Sequence, residues 1–469
     1  MVIFMENNEI KISHSKANMA SYSFGTFLNE FIMMAFFAFT FFFYESEIGL
    51  DVWLVAFGYI LFAIWNAVND PIVGYLTDKP FKFTKKWGRR FPWLMLGGFP
   101  WVISYILIFM PPAVDPNTQQ GALILVVWFV ISMCIFDTFA SIFWVNYASL
   151  FPDKFRSTEE RRTANGFSIF IGVFGTVSGA VVPPLFITFG VLSSYIIAAG
   201  VVMLVGIIAV ILLIPGGREE QALIDQYLVA YPKMERTSFF KTFKAAMKHR
   251  NFVVVILVLL LYQVMIRSMT ASIPFIVRFI LKMEASVITV IMGLFMISVL
   301  ISTPIWVKIA QKKNDNRKIT LITGILLTIF TIPMIFVNTY LGFILGMLLW
   351  GTVLGGFWVT QLWILSDSID EAVCKTEKRE EGIYNGINQF FSRIALVVQA
   401  LSFAIIHELT GFVEGADTQS AQAVIGIHIH FAVVPFIAMI IGMIIFWKWY
   451  DLTPERVKEN QQKMKELCL

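Results

Sequence analysis

Two long stretches of this chain carry no charge at all. From Thr163 to Gly217, 55 consecutive residues include no Asp, Glu, Lys or Arg, and from Ile319 to Ser366 another 48 include none. A helix needs about 20 apolar residues to cross a bilayer, so each stretch has room for two crossings joined by a short turn. Composition agrees. Of the 469 residues, 57% are apolar and 14% charged, against about 45–50% and roughly 25% in soluble domains. A water-soluble enzyme and a disordered chain are excluded, and the sequence reads as an all-α, polytopic membrane protein.

Twelve spans fit, at 17–44, 50–77, 91–111, 121–150, 165–189, 193–215, 251–281, 284–310, 319–337, 339–366, 384–410 and 425–450. They divide the chain into an N-terminal tail 1–16, a six-helix bundle 17–215, a central linker 216–250, a second six-helix bundle 251–450 and a tail 451–469. An even count puts both termini on one side. If that side is the cytoplasm, 31 of the 36 Lys and Arg lie in inner segments, and the outer turns hold only Arg278 and Lys282. A missed span would scramble this bias, so the expectation is a multi-pass protein of the cell membrane with both termini inside. The polar start MVIFMENNEIKISHSK lacks the charge-then-apolar order of a cleavable signal, so span 1 reads as a retained anchor. The inner loops DKPFKFTKKWGRR and QKKNDNRK follow spans 2 and 8. Each holds the same place in its half, as expected of two parallel six-helix repeats.

Ionisable side chains inside spans are expensive, and each is a candidate for function. The deep ones are Glu30, Asp70, Asp137, Arg267 and Arg393. Asn66, Asn69 and Asp70 are spaced to share one helix face, and Pro71 loosens the turn before it. Such a set can coordinate Na⁺ or hold a proton on Asp70, or it can serve as glue between helices. Glu30 can bind a cation, accept hydrogen bonds from a hydroxylated solute or pair with Arg267. Asp137 and Trp144 lie two turns apart on one face with Ser141 between, an acid and an indole suited to a sugar. Arg267 and Arg393 keep their charge, so each requires an anionic partner or solute.

Glycines recur on span 5 (Gly172, Gly175, Gly179) and span 10 (Gly346, Gly351, Gly355, Gly356), where they permit close helix contact. Cys134, Cys374 and Cys468 form neither a disulfide framework nor a zinc spacing. His14, His249, His407, His428 and His430 do not make a metal site. No nucleotide-binding, hydrolase or metalloprotease pattern occurs, and no basic tract suits nucleic acid. The chain reads as a non-enzyme with no cofactor, and any uphill transport must draw on an ion gradient.

WNAVNDPIVGYLTD followed by KKWGRRFPWLML resembles the signature of the glycoside–pentoside–hexuronide:cation symporters, a melibiose-carrier-like branch of the major facilitator superfamily. SYSFGTFLNEF, NYASLFPDKFRSTEERRTANGF and LSDSIDEAVCKTEKREEGIYNGINQFFSR resemble further blocks of that family, so the likeness runs along nearly the whole chain. It implies a twelve-helix major facilitator fold with a central cavity and cation-coupled symport of a sugar or glycoside, neutral or acidic, by alternating access. It places Asp70 at the main cation acid, with Asn69 its amide neighbour, Glu30 at the sugar-contacting acid of helix 1, and Arg393 at a basic position of helix 11. The sequence departs from the family at four places, one of them Ala148, which stands where a tryptophan is expected one turn after Trp144. Asn66 stands where a second cation-site acid is expected, Trp144 where a sugar-binding aspartate is expected, and Ile169 where an arginine is expected. A one-acid site favours H⁺ or loss of coupling.

The expected cation site is therefore Asp70 with Asn66 and Asn69, holding H⁺ or Na⁺ and no other metal. The expected solute contacts are Glu30, Arg267, Arg393, Trp144 and Asp137. Inner-face gating contacts are expected of Asp78, Arg89, Arg90, Arg161 and Arg162. The partners are a small solute and the bilayer, and the protein is expected to be monomeric. A carrier of a lipid-like or other organic solute, or an uncoupled facilitator, is the alternative; the FFAFTFFFY run of span 1 is compatible with an amphiphile.

Overall fold

The computed structural model describes residues 3–6, 9–79, 81–230, 243–244, 246–376 and 381–466. Part of the expected central linker, Pro80 of the first basic loop, and Cys468 lie outside the described residues. Among those described, twelve helices are long and apolar enough to cross a membrane. In the first half they are α1 Lys16–Glu47, α2 Val52–Thr77, α3 Phe91–Ile108, α4 Gln119–Lys154, α5 Thr158–Leu185 and α6 Leu192–Gly217. In the second they are α7 Arg250–Ile280, α8 Ser286–Lys313, α9 Asn316–Ile335, α10 Tyr340–Thr376, α11 Ile383–Thr410 and α12 Ala421–Trp449. A two-stranded antiparallel ribbon, Ile3–Glu6 against Glu9–Ile12, precedes α1 and is the exception to the all-helical expectation.

Short polar side chains start the helices where the chain turns back into the bilayer. Asp51 accepts from the Trp53 and Leu54 amides at α2, Thr118 from Gly121 at α4, and Ser157 from Glu160 at α5. Each satisfies N–H groups that have no partner inside the helix. Helix ends depart from hydropathy both ways: α3 stops at Ile108 and α5 at Leu185, short of the expected 111 and 189, while α4 and α10 run on past 150 and 366. The tenth span, expected to stop at 366, continues to Thr376, because Asp367 to Thr376 is polar but still helical. Hydropathy marks where lipid ends, whereas the hydrogen-bond ladder runs on until a breaker stops it.

The chain divides into two units, Met1–Glu235 and Arg236–Leu469. In the first, α1 packs on α5 and α6, α3 on α4 and α6, and α2 on α4. In the second, α7 packs on α11 and α12, α9 on α10 and α12, and α8 on α10. The same five pairings recur six helices later, which is the internal repeat expected from the paired basic loops. The first helix of each unit also ends in a π-helical turn, Phe43–Glu47 in one and Ile276–Ile280 in the other.

Outward faces are apolar. On α6, Ile197, Leu204, Ile208 and Ile211 are all more than half exposed and follow helical spacing, a lipid-facing stripe. The aromatic run of α1 points the other way. Phe36, Phe39, Phe41, Phe42 and Tyr44 are at most 1% exposed, so this run builds the core of its unit. The glycines of α5 sit against α1, where a Cβ at Gly175 or Gly179 would strike the Phe27 or Phe31 carbonyl.

Candidate functional site

The densest polar cluster inside the spans lies on the α2–α4 seam. Asn66, Asn69 and Asp70 share a face of α2, as their spacing requires. Pro71 lies inside the helix and supplies no N–H to the turn below it. On α4, Asp137 and Ser141 form a second pair one turn apart. The Asn66 amide donates to the Asp137 carboxylate. Asn69 Nδ2 donates to Asp137 Oδ2 at 3.2 Å and to Ser141 Oγ at 3.0 Å. Ser141 Oγ in turn donates to Asp70 Oδ1 at 2.5 Å. Asp137 is 2% exposed and Asn69 5%. The structure thus brings Asn66, Asn69, Asp70 and Asp137 into one network.

Glu30 occupies a different place, on α1 against α5. Asn29 Nδ2 donates to Glu30 Oε1 at 3.2 Å and Thr176 Oγ1 to Glu30 Oε2 at 3.4 Å. Gly172 leaves room there, since a Cβ would meet Thr26 Cγ2 at 2.8 Å and Glu30 Cγ at 3.8 Å. Trp144 leads toward the same wall. Its ring lies 5.6 Å from that of Tyr147. The Tyr147 hydroxyl lies 2.9 Å from Thr26 Oγ1, one turn before Glu30. Helix α4 therefore offers Asp137 and Ser141 to α2, and Tyr147, the neighbour of Trp144, to α1.

Arg267 and Arg393 belong to the second unit, on α7 and α11, and both are partly buried. Val264 and Ala395 pack in one apolar cluster with Ala438, which fixes the register of these two helices. Both helices run in the same direction, and Arg267 lies three residues beyond the contact while Arg393 lies two before it.

At the end of the first unit that carries the basic loop after α2, Arg90 Nη2 pairs with Asp78 Oδ1 at 2.7 Å and Arg89 Nη2 with Asp153 Oδ2 at 3.2 Å. Arg90 also donates to Asn146 Oδ1 at 3.1 Å. Arg161 caps the end of α4, donating to the Phe155 carbonyl at 2.7 Å, while Arg162 is exposed. Glu219 accepts from the Arg90 and Phe91 amides at 2.6 and 3.0 Å, an anion at the N-terminus of α3.

Sequence reasoning missed the network beside these pairs. His14 lies between Glu160, at 3.2 Å, and Glu220, at 3.0 Å, and Lys154 reaches Glu220 at 3.2 Å. Burial pushes the Glu220 carboxyl up, but His14 and Lys154 outweigh it and hold it down at about 2. His14 is 146 and 206 residues from these partners, so no local pattern could reveal the contact. The second unit has a counterpart. Glu371 of α10 accepts from Asn251 at 2.8 Å and pairs with Lys375 at 2.8 Å and Arg456 at 3.2 Å.

The outer histidines are interior groups. His430 Nδ1 lies 2.6 Å from Ser272 Oγ, and His428 Nε2 3.0 Å from Asn338 Oδ1. Among the described residues no group of three or more His, Cys, Asp or Glu is placed to hold a metal ion.

This geometry sits on a chain whose residues 21–454 match the family model for MFS/sugar transport proteins. The chain belongs to that family. It is a secondary transporter of the major facilitator superfamily, not an enzyme. The sodium-dependent lysophosphatidylcholine symporter 1-A of Danio rerio is 23% identical over 444 residues, covering 86% of this chain and 79% of the relative. The isoprimeverose transporter of Lactiplantibacillus pentosus is 24% identical over 448 residues, covering 90% and 86%. The crystal structure of a D-xylose-proton symporter shares the fold, with a TM-score of 0.60 at 13% identity, covering 93% of this chain and 97% of that one. The expected major facilitator fold and likeness to sugar–cation symporters are borne out.

Chain spacing groups Asp137 with Trp144 as a solute contact, yet the Asp137 carboxylate accepts hydrogen bonds from Asn66 and Asn69. The polar patch around Asp70 therefore holds two acids, Asp70 and Asp137.

Proposed function

We propose that this transporter carries a sugar or glycoside, neutral or acidic, in symport with Na⁺ by alternating access, the mode of two-repeat carriers. The observation that carries the reading is the α2–α4 network. It offers oxygen atoms from Asp70, Asn66 and Asn69 in one partly buried patch, and a hard cation takes oxygen ligands. Asp70 anchors the ion, and the two amides complete its surroundings. The sodium dependence named for the Danio rerio relative supports Na⁺ over H⁺. Glu30 takes solute hydroxyls beside Thr176, and Trp144 offers an apolar ring face. Arg267 and Arg393 are the cations this reading assigns to an acidic group of the solute. The Asp78–Arg90 and Arg89–Asp153 pairs, with Arg161 and Arg162 nearby, serve the opening and closing of the inner end. The protein acts as a monomer in the cell membrane with both termini cytoplasmic, as the Lys and Arg distribution supports.

A second reading, a lysophospholipid or similar amphiphile as solute, is favoured by the lysophosphatidylcholine symporters among the relatives. The aromatic run of α1 lends it no support, because those rings are buried within their unit.

Uptake by proteoliposomes separates the readings. The purified protein is given a panel of glycosides and lysophosphatidylcholine, with Na⁺ and pH gradients imposed separately. Accumulation of a glycoside under an inward Na⁺ gradient is the expected result. Accumulation driven only by a pH gradient would replace the ion, and uptake of lysophosphatidylcholine alone would replace the solute.

A further inference from the structure

The segment between α2 and α3, residues 78–90, carries six cations and sorts them by type. Arg89 and Arg90 pair with Asp153 and Asp78. Lys79 lies back over α2, its Nζ 4.2 Å from the centre of the Tyr75 ring. Lys82, Lys85 and Lys86 are exposed, and among the described residues none of the three has a carboxylate partner. The same short stretch leaves rings uncovered. Phe81 is 39% exposed and Trp87 47%. Phe81 stacks on Phe83 with ring centres 5.3 Å apart, and Trp93 of α3 stands edge-on to both. Lys86 Nζ lies 5.6 Å from the Trp87 ring.

The backbone under these side chains is held. The Phe81 amide donates to Thr84 Oγ1 at 2.9 Å, at the start of a short helix Thr84–Trp87. Gly88 follows with φ 91°, where a Cβ would strike the Glu219 carboxylate. Gln221 Nε2 donates to the Lys85 carbonyl at 3.3 Å, and the Tyr227 hydroxyl to the Asp78 carbonyl at 2.7 Å. The chain after α6 thus fixes the loop, while three ammonium groups and two rings stay open.

Both ends of the loop run into membrane spans, so it lies at the bilayer surface. That depth is where aromatic side chains settle and where lysines meet lipid phosphates. Tyr75 and Leu76, on the last turn of α2, are 54% and 48% exposed, apolar surface for acyl chains beside the lysines. A water-soluble acidic partner would use the lysines, but open rings next to such residues favour the membrane itself. The matching loop of the second unit, residues 311–318, exposes Lys312 and Lys313 but contains no aromatic residue. Charge is common to both loops, and charge combined with rings belongs to the first.

We propose that Lys82, Lys85 and Lys86, with Phe81 and Trp87, form a docking surface for anionic phospholipid headgroups, the lysines meeting the phosphates and the rings sitting at headgroup depth. This surface is separate from the ion and solute assignments, and their failure would leave it standing.

The test is native mass spectrometry of the purified full-length protein, titrated in detergent with phosphatidylglycerol or phosphatidylcholine. The unaltered protein is expected to retain phosphatidylglycerol in preference. Each lysine near an anionic surface contributes about fivefold, so Lys82→Gln/Lys85→Gln/Lys86→Gln is expected to weaken phosphatidylglycerol binding roughly 100-fold. The Lys→Arg triple at the same positions keeps the charge and should keep the lipid. Lys308→Gln/Lys312→Gln/Lys313→Gln removes three exposed lysines of the second unit and should cost less than about fivefold, the share of one surface lysine. Equal losses in the two glutamine triples overturn the proposal, because charge anywhere at the surface would then suffice. No preference for phosphatidylglycerol in the unaltered protein also overturns it. Soluble polyglutamate that binds in place of the lipid, and is lost in the first triple, would assign the patch to an acidic protein and overturn it too. If the first triple does not elute intact, the three single variants decide, each expected to lose about fivefold and each overturning the proposal if all leave binding unchanged.

Discussion

The α2–α4 seam of the first unit and the α8–α10 seam of the second hold the same place in the repeat, and they differ in which contacts join them. Between α2 and α4, side chains cross the seam: two amides, a hydroxyl and two carboxylates bond to one another. Between α8 and α10, backbones approach instead. A Cβ at Gly355 would lie 2.5 Å from Ser302 Oγ, 2.7 Å from Thr303 Oγ1 and 2.8 Å from the Val299 carbonyl. Two hydroxyls of that seam are turned onto their own helix, Ser298 onto the Phe295 carbonyl at 2.7 Å and Thr303 onto Val299 at 2.7 Å, and the polar groups that cross it, Trp306 Nε1 at 2.7 Å and Ser302 Oγ at 3.5 Å, donate to backbone carbonyls of α10 rather than to side chains. One copy of the repeat leaves its polar groups facing a neighbour helix, and the other uses the position for close packing. Duplicated architecture therefore does not imply duplicated chemistry, and on this reading ion binding belongs to the first unit alone.

The largest expected effect tests this division directly. Asp70→Asn should abolish Na⁺-driven accumulation in proteoliposomes, while Ser302→Ala, at the matching seam, should leave the Na⁺ dependence of uptake unchanged. A shifted Na⁺ dependence in Ser302→Ala would mean that the second seam also senses the ion.

The inner networks give a second contrast. In the first unit the cation Lys154 comes from α4, and the acid Glu220 follows α6. In the second unit the acid Glu371 comes from α10, and the cation Arg456 follows α12. The roles are exchanged, and so is the burial. The Lys154 side chain is 0% exposed, whereas that of Arg456 is 42% exposed. Glu220→Ala leaves a buried ammonium without its carboxylate, at a cost of about 3–5 kcal/mol, read as a lowered melting temperature in detergent. Acid should act in the same sense. The folded-state value of Glu220, about 2, lies below its ordinary 4.5. Its contribution is therefore complete above pH 4.5 and fades as pH falls toward 2. A melting temperature of Glu220→Ala that tracks the unaltered protein across this window would show that the network carries no such energy.

How much of this was legible in the sequence follows the range of each interaction. The twelve spans were legible because the bilayer imposes a length on each helix. The face shared by Asn66, Asn69 and Asp70 was legible because helix periodicity fixes it locally. The facing of Asp137 was not. Its distance from Trp144 in the chain is seven residues, which puts both near one face, but the width of that face spans two neighbours. Packing turns the Asp137 end to α2 and, through Tyr147, the Trp144 end toward α1. The His14 network was invisible for the same reason, since it joins the start of α1 to the segment after α6. The glycines of α5 and α10 look alike in sequence yet serve different seams, α1–α5 in one unit, and in the other α8–α10 at Gly351 and Gly355 and α9–α10 at Gly346.

That last difference gives a smaller test. Gly355→Val inserts side-chain atoms where Ser302 and Thr303 already sit, and overpacking of this kind costs about 1–3 kcal/mol. At Gly74 of α2, a Cβ would meet only Val145 Cγ1 at 3.8 Å. Gly74→Ala should accordingly leave the melting temperature within error, or raise it slightly through the higher helix propensity of Ala. Equal losses at both positions would mean that the first seam is also closed by backbone contact, and the contrast between polar and close-packed seams would fail.

The smallest effect belongs to Arg456. It bridges Glu371 and Asp451 at 3.2 and 2.8 Å, but its side chain is nearly half exposed, and such pairs contribute about 0–1 kcal/mol. Glu371 also keeps Asn251 and Lys375 when the guanidinium is removed. Arg456→Ala should thus lower the melting temperature far less than Glu220→Ala, and added salt should narrow the deficit because an exposed pair is screened. A loss in Arg456→Ala as large as that in Glu220→Ala, and insensitive to salt, would show that the two inner networks are energetically equivalent despite their exchanged roles, and that exposure of the cation does not decide what the network is worth.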